Sequence, residues 1–155
     1  MVSSIKINIE DIENNNMSKL LYQVRLDVTE DIAQEVRNKN YYKLNEYIDA
    51  ILLKVDAELI CQYDDFNNFV IECEKENNTN NALYKWTKDT IENSLKKKKY
   101  LKSFTVYVNG EQLYNKKTAD YLESEIKKLN EKRILKISKY NSDPKNNPQP
   151  PKKYL

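Results

Sequence analysis

Few side chains in this 155-residue chain are of a type and spacing that could do chemistry, and Asp56 and Glu58 come first. Two apart at the start of an expected strand, they point both carboxylates to one side. With Asp64 and Asp65 in the neighbouring loop, a Mg²⁺ ion could be bridged there to a phosphate. That pattern reads as a metal-dependent phosphoesterase. The competing reading is a solvated surface, because one Asp-x-Glu is expected by chance among 24 acids and charged side chains are mostly exposed without a functional reason.

Nucleophilic chemistry has less to work with. The chain holds no histidine, so a Ser or Cys nucleophile would need Lys or a carboxylate as its base, and no nucleophile-elbow or Ser-x-x-Lys signature is present. Cys61 and Cys73 are too few for a disulfide framework or a four-ligand zinc site and read as buried, reduced thiols. A single glycine, Gly110, excludes a Walker loop and a dinucleotide fingerprint. No cofactor is therefore expected.

Cations are plentiful and unevenly placed. Residues 1–95 carry 10 basic and 18 acidic side chains, and residues 96–155 carry 16 and 6, a basic segment on an acidic body. Lys96, Lys97, Lys98, Lys99 and Lys102, then Lys127, Lys128 and Arg133, offer phosphate contacts whose strength would fall with salt. Solvated helix ends account for the same residues. Sheet-based RNA readers also stack bases on aromatics of the two central strands. Here the open-face positions would be Gln23 and Arg25 on one strand and Val70 and Glu72 on another, so only Tyr107 offers a ring. The tail matches a PxxPxK polyproline-ligand pattern at Pro148 to Lys153, equally readable as a solubilising linker.

The elements that must position these residues follow from periodicity. Leu20 to Val28 alternates as a half-buried strand. Thr29 is expected to cap a helix broken near Asn38, and Leu44, Ile48, Ile51, Leu52 and Val55 mark a second. Residues 57–76 fit a helical period through Leu59, Tyr63, Phe66, Val70 and Cys73. They fit better as a hairpin with a loop at Asp64 to Asn68, which gathers Leu59, Cys61, Tyr63, Phe69, Ile71 and Cys73 on one face. A helix from Leu83 to Leu95 runs into the lysines, and Phe104, Val106 and Val108 form a strand into the Asn109-Gly110 turn. A last helix, capped by Thr118, runs through Leu122, Ile126 and Leu129 and extends towards Ile137.

These elements predict an α+β fold, a ferredoxin-like βαββαβ core with a C-terminal hairpin and helix extension; the alternative is a mostly α-helical chain with a small sheet. Residues 1–16 are expected as an edge strand and linker, 17–140 as one domain and 141–155 as a disordered Pro/Lys tail. The longest apolar run, Ala50-Ile51-Leu52-Leu53, falls far short of the roughly 18 residues that cross a bilayer. No membrane association is expected, and no secretory signal opens the chain, so cytoplasmic residence is the expectation. The favoured function is a small non-enzymatic binding protein, a regulator, inhibitor or assembly module acting on a protein partner. A polar open sheet face and 12 tyrosines, a residue favoured at interfaces, motivate it. The open face could also pair two copies in a homodimer. Nucleic-acid binding by the basic region is the second reading and the phosphoesterase the third.

Overall fold

Strand β1, Tyr22–Val28, follows its alternation. Val24, Leu26 and Val28 are at most 1% exposed on one face, and Gln23, Arg25 and Asp27 line the other. The computed structural model describes residues 20–38, 46–146 and 148–155, so the expected edge strand and linker of residues 1–16, and Leu44, lie outside the described residues. Helix α1, Glu30–Arg37, starts after Thr29, whose hydroxyl donates to Asp31 rather than capping a backbone amide. The favourable start comes from Glu30 and Asp31 in the first turn, at the positive end of the helix dipole. Helix α2, Glu46–Lys54, buries Ile48 and Leu52.

Residues 57–76 correct the expected hairpin: β2, Ala57–Cys61, runs straight into the 14-residue helix α3, Gln62–Lys75. The expected loop contains neither Gly nor Pro, and Asp64 and Asp65 occupy the first turn of α3, where carboxylates are favoured. The helical period therefore wins. Phe69, Val70, Glu72 and Cys73 are helical, and Cys73 joins Val70 and Tyr84 in a small second core while Cys61 belongs to the main one. The two thiols do not share a face.

The expected long helix divides in two. Asn81 caps α4, Ala82–Glu92, by accepting from Tyr84 N at 2.7 Å. Asn93 ends it and caps α5, Ser94–Tyr100, by accepting from the amides of Leu95 and Lys96. Strand β3, Ser103–Val108, enters the expected tight turn, with Asn109 at φ 53° and Gly110 at φ 78°, the paired positive values a two-residue I′ hairpin requires. Helix α6, Lys116–Lys128, is capped by Asn115, which accepts from Thr118 N at 2.8 Å; Thr118 donates the bond and is not the cap. The helix stops at Leu129, because Asn130 turns left-handed at φ 51°. The chain then forms β4, Ile134–Asn141, where a helical extension was expected. Residues 144–146 and 152–154 make single 3₁₀ turns in the segment expected as a disordered tail, and the Tyr154 hydroxyl donates to Asp89 of α4 at 2.6 Å.

The result is α+β: six helices among the described residues and one antiparallel sheet of order β2-β3-β1-β4. That order is compatible with the ferredoxin-like expectation, although the segments differ from those expected: α3, α4 and α5 join β2 to β3, and β4 completes the sheet. The main core lies between one sheet face and α1, α2 and α6, around Phe104, Leu26, Ile32, Ile48 and Leu122. One tyrosine reaches into the ladder. The Tyr114 hydroxyl accepts from Val24 N at 2.9 Å and donates to Val106 O at 2.7 Å, although Val24 and Val106 are register partners. A side chain thus replaces one backbone rung. No helix among the described residues is long and apolar enough to cross a membrane.

Candidate functional site

The sheet face turned away from the main core is polar apart from Ile60 on β2, which stands opposite Thr105, because the other alternate residues of the strands are polar. Those residues are Gln23, Arg25 and Asp27 on β1, Ser103, Thr105 and Tyr107 on β3, Glu58 on β2, and Lys136, Ser138 and Tyr140 on β4. Over β2 and β3 this face is covered by the start of α3. The Tyr107 hydroxyl donates to Asp65 there at 2.6 Å, and Phe66 meets Tyr100 of α5 edge to face at 5.1 Å. Burial pushes the Asp65 carboxyl up, and burial together with that hydrogen bond pushes the Tyr107 hydroxyl up.

Over β1 and β4 no described helix closes the face, and a cleft of about 110 Å³ forms there. Its floor is Arg25, Asp27, Ser103, Lys136, Ser138 and Tyr140, and its wall is Gln62, Lys99 and Tyr100. Arg25 is held in place: its Nε donates to Gln23 Oε1 at 2.6 Å, and its guanidinium lies 4.5 Å from the centre of the Tyr140 ring. Such stacking orients the fork while leaving its edge available. Nothing among the described residues accepts from its Nη groups. The carboxylate of Asp27 accepts from Ser103 at 2.9 Å. Three cations against one carboxylate make the cleft receptive to anions.

The lysine run is shared out by its helical spacing. Lys99 faces this cleft, whereas Lys98 and Lys102 line a second one of about 140 Å³ beside Arg37 and Glu30 of α1. Lys97 lies 5.2 Å from the Tyr63 ring, and Lys96 is exposed on the first turn of α5. Of the distal cations, Lys136 lines the same cleft as Lys99 and shares a shallow pocket with Lys127. Lys127 pairs with Glu123 at 3.5 Å, Lys128 with Glu125 at 2.9 Å and Arg133 with Glu131 at 3.1 Å, each within its own segment. The basic region is therefore divided between clefts and local ion pairs.

Asp56 and Glu58 are not brought to Asp64 and Asp65. Asp56 sits in the turn before β2 at φ 53°, Glu58 is exposed opposite Tyr107, Asp64 forms a two-pronged pair with Arg37, and Asp65 is taken by Tyr107. Among the described residues no group of three or more His, Cys, Asp or Glu side chains could hold a metal ion.

No family model, curated protein or solved structure matches the chain.

Function is thus read from geometry alone. Sequence reasoning found Arg25, Tyr107 and Lys99 and left Lys136 among the cations of the basic segment, but missed Ser138 and Tyr140, a third of the cleft floor. The usable signal was Asn130 as a left-handed helix stop, followed by alternation of Lys136, Ser138 and Tyr140 with Ile137 and Lys139.

Proposed function

We propose that this chain is a small non-enzymatic binding protein, a regulator, inhibitor or assembly module, that engages an acidic surface of a protein partner through the open sheet face. The observation that carries this reading is the convergence of Arg25, Lys99 and Lys136 on one cleft, none of them in an ion pair with a carboxylate among the described residues. Lys88, Lys116, Lys127, Lys128 and Lys139 are all so paired. Unpaired cations around a preoriented guanidinium suit recognition, since less ordering remains to be done on binding. A second reading, nucleic-acid binding, draws support from the Tyr140 and Tyr100 rings beside the same cations.

Site-specific photo-crosslinking separates the two. A photoreactive amino acid replaces Ser138 in the cleft or, as a control, Glu72 on the exposed flank of α3. In an extract of the source cells, the Ser138 position is expected to give a protease-sensitive, nuclease-resistant adduct that disappears with Arg25→Glu. A nuclease-sensitive adduct supports the second reading, and equal adducts from both positions overturn the first.

A further inference from the structure

The cleft opens onto a strand whose outer side is unpaired among the described residues. β4 ends the sheet, pairing with β1 from Tyr22↔Asn141 to Val28↔Ile134. Among the described residues no backbone hydrogen bond reaches its other side between residues 135 and 140. In an antiparallel edge strand alternate amides and carbonyls point outward, ready for another strand. Six residues at about 3.3 Å each give roughly 20 Å of such edge.

We propose that the partner contributes an extended acidic segment, which adds to the sheet along β4 and seats alternate carboxylates in the cleft. This rests on the protein-binding reading above and specifies its mode. Lys136, Ser138 and Tyr140 alternate on the cleft side of β4, so every second side chain of an added strand stands beside them, about 5 Å away. The free edge of the Arg25 fork matches a carboxylate's two oxygens. Only a polypeptide can also satisfy the outward amides and carbonyls of β4, the combination that peptide recognition by strand addition uses.

Charge argues against a second copy as the occupant. Residues 134–141 carry Lys136 and Lys139 and no acid, so pairing two β4 strands would gather four lysines at the seam with no carboxylate on either strand to offset them. Lys139 is already engaged with Asp120 and Glu123 of α6, on the core side. Lys136 remains at the edge as a guard that repels like strands and admits an acidic one.

The test uses the full-length ¹⁵N-labelled chain and three ten-residue synthetic peptides: Glu alternating with Thr and Val, the same peptide with Gln for Glu, and one with Lys for Glu. The Glu peptide is expected to slow hydrogen exchange at alternate β4 amides. Its affinity should fall at least tenfold with Arg25→Gln, with Lys136→Gln, or on changing its Glu to Gln, and should weaken as salt is raised. Tyr140→Leu, which removes the stacking and keeps every charge, is expected to give an intermediate loss, with folding of each variant confirmed by unchanged amide resonances around Phe104. Binding without β4 protection, equal binding of the Lys peptide, or β4 protection that rises with protein concentration in the absence of peptide overturns the proposal, the last pointing to a second copy. If Ser138 crosslinks a protein while the peptide leaves β4 unprotected, strand addition alone falls. Without that crosslink the protein-binding reading falls as well.

Discussion

The Tyr107 hydroxyl of β3 donates a 2.6 Å hydrogen bond to Asp65 of α3, fastening the three-helix connection to the sheet's polar face. Asp65 is half-buried, and this bond offsets part of the burial that pushes its carboxyl up. Tyr107→Phe removes the donor and is expected to cost about 1 kcal/mol near neutral pH. A carboxyl raised in the folded state favours folding below its unfolded value and loses that contribution as pH rises through the folded value. Without Tyr107 the folded value moves further up, so the deficit should grow from about pH 3 to pH 7. Urea unfolding of both proteins at the two pH values measures it. A deficit independent of pH would contradict the assignment.

Tyr114→Phe should be more damaging. The hydroxyl bridges Val24 N and Val106 O inside the sheet, and its loss leaves both groups buried without partners. At about 1 to 2 kcal/mol for each, the expected loss in chemical denaturation is about 2 to 4 kcal/mol.

The same tyrosine predicts an alkaline limit. Burial pushes its hydroxyl up to about 12, so the stability it contributes is fully present below the ordinary tyrosine value of about 10 and is lost as pH rises from there towards 12. The unfolding free energy of the native chain is expected to decline through that window. Tyr114→Phe should decline less.

Gly110→Ala tests backbone conformation without packing. At φ 78° the position lies where side chains are disfavoured, yet an added Cβ would meet nothing within 4 Å. The expected cost is about 1 kcal/mol, from conformation alone. Gly110→Asn, which tolerates positive φ, should restore much of it, as thermal melts of the pair would show.

Cys61 and Cys73 are 3% and 4% exposed. Burial also pushes the Cys61 thiol up, and its Sγ is directed at the Tyr100 carbonyl, 3.5 Å away. A soluble disulfide reagent at neutral pH is expected to label neither thiol in the folded chain and both in denaturant, because thiolate and access are both required. Rapid native labelling of Cys61 would show that α5 opens.

The elements legible in the sequence are those where one period stands alone. β1 alternates apolar and polar residues with a clean core face, and the Asn109-Gly110 turn has a residue pair suited to its conformation. Residues 57–76 satisfy two periods at once, and the choice turned on the dipole preference of Asp64 and Asp65 and on the missing turn residues. β4 was hidden because an edge strand half open to solvent need not alternate strongly. A bulge between Asp27 and Val28 leaves Leu135 64% exposed, and Ile134 and Ile137 continue the helical spacing of Leu122, Ile126 and Leu129. The candidate site inherited that gap. Arg25 followed from β1, while Lys136, Ser138 and Tyr140 needed β4 to be recognised first.

The strand order has a consequence for biosynthesis. β1 is an interior strand made early, yet its neighbours β3 and β4 begin only at Ser103 and Ile134. A chain leaving the ribosome therefore carries Val24, Leu26 and Val28 with both hydrogen-bonding edges unmatched until β3 emerges about 75 residues later. All three ladders join segments far apart in sequence, so loop closure precedes any reward from pairing and folding should be slow for a chain of this size. The sheet closes only when β4 has emerged. A message truncated before Ile134 would release a product with β1 as a bare edge, open to pairing with other chains.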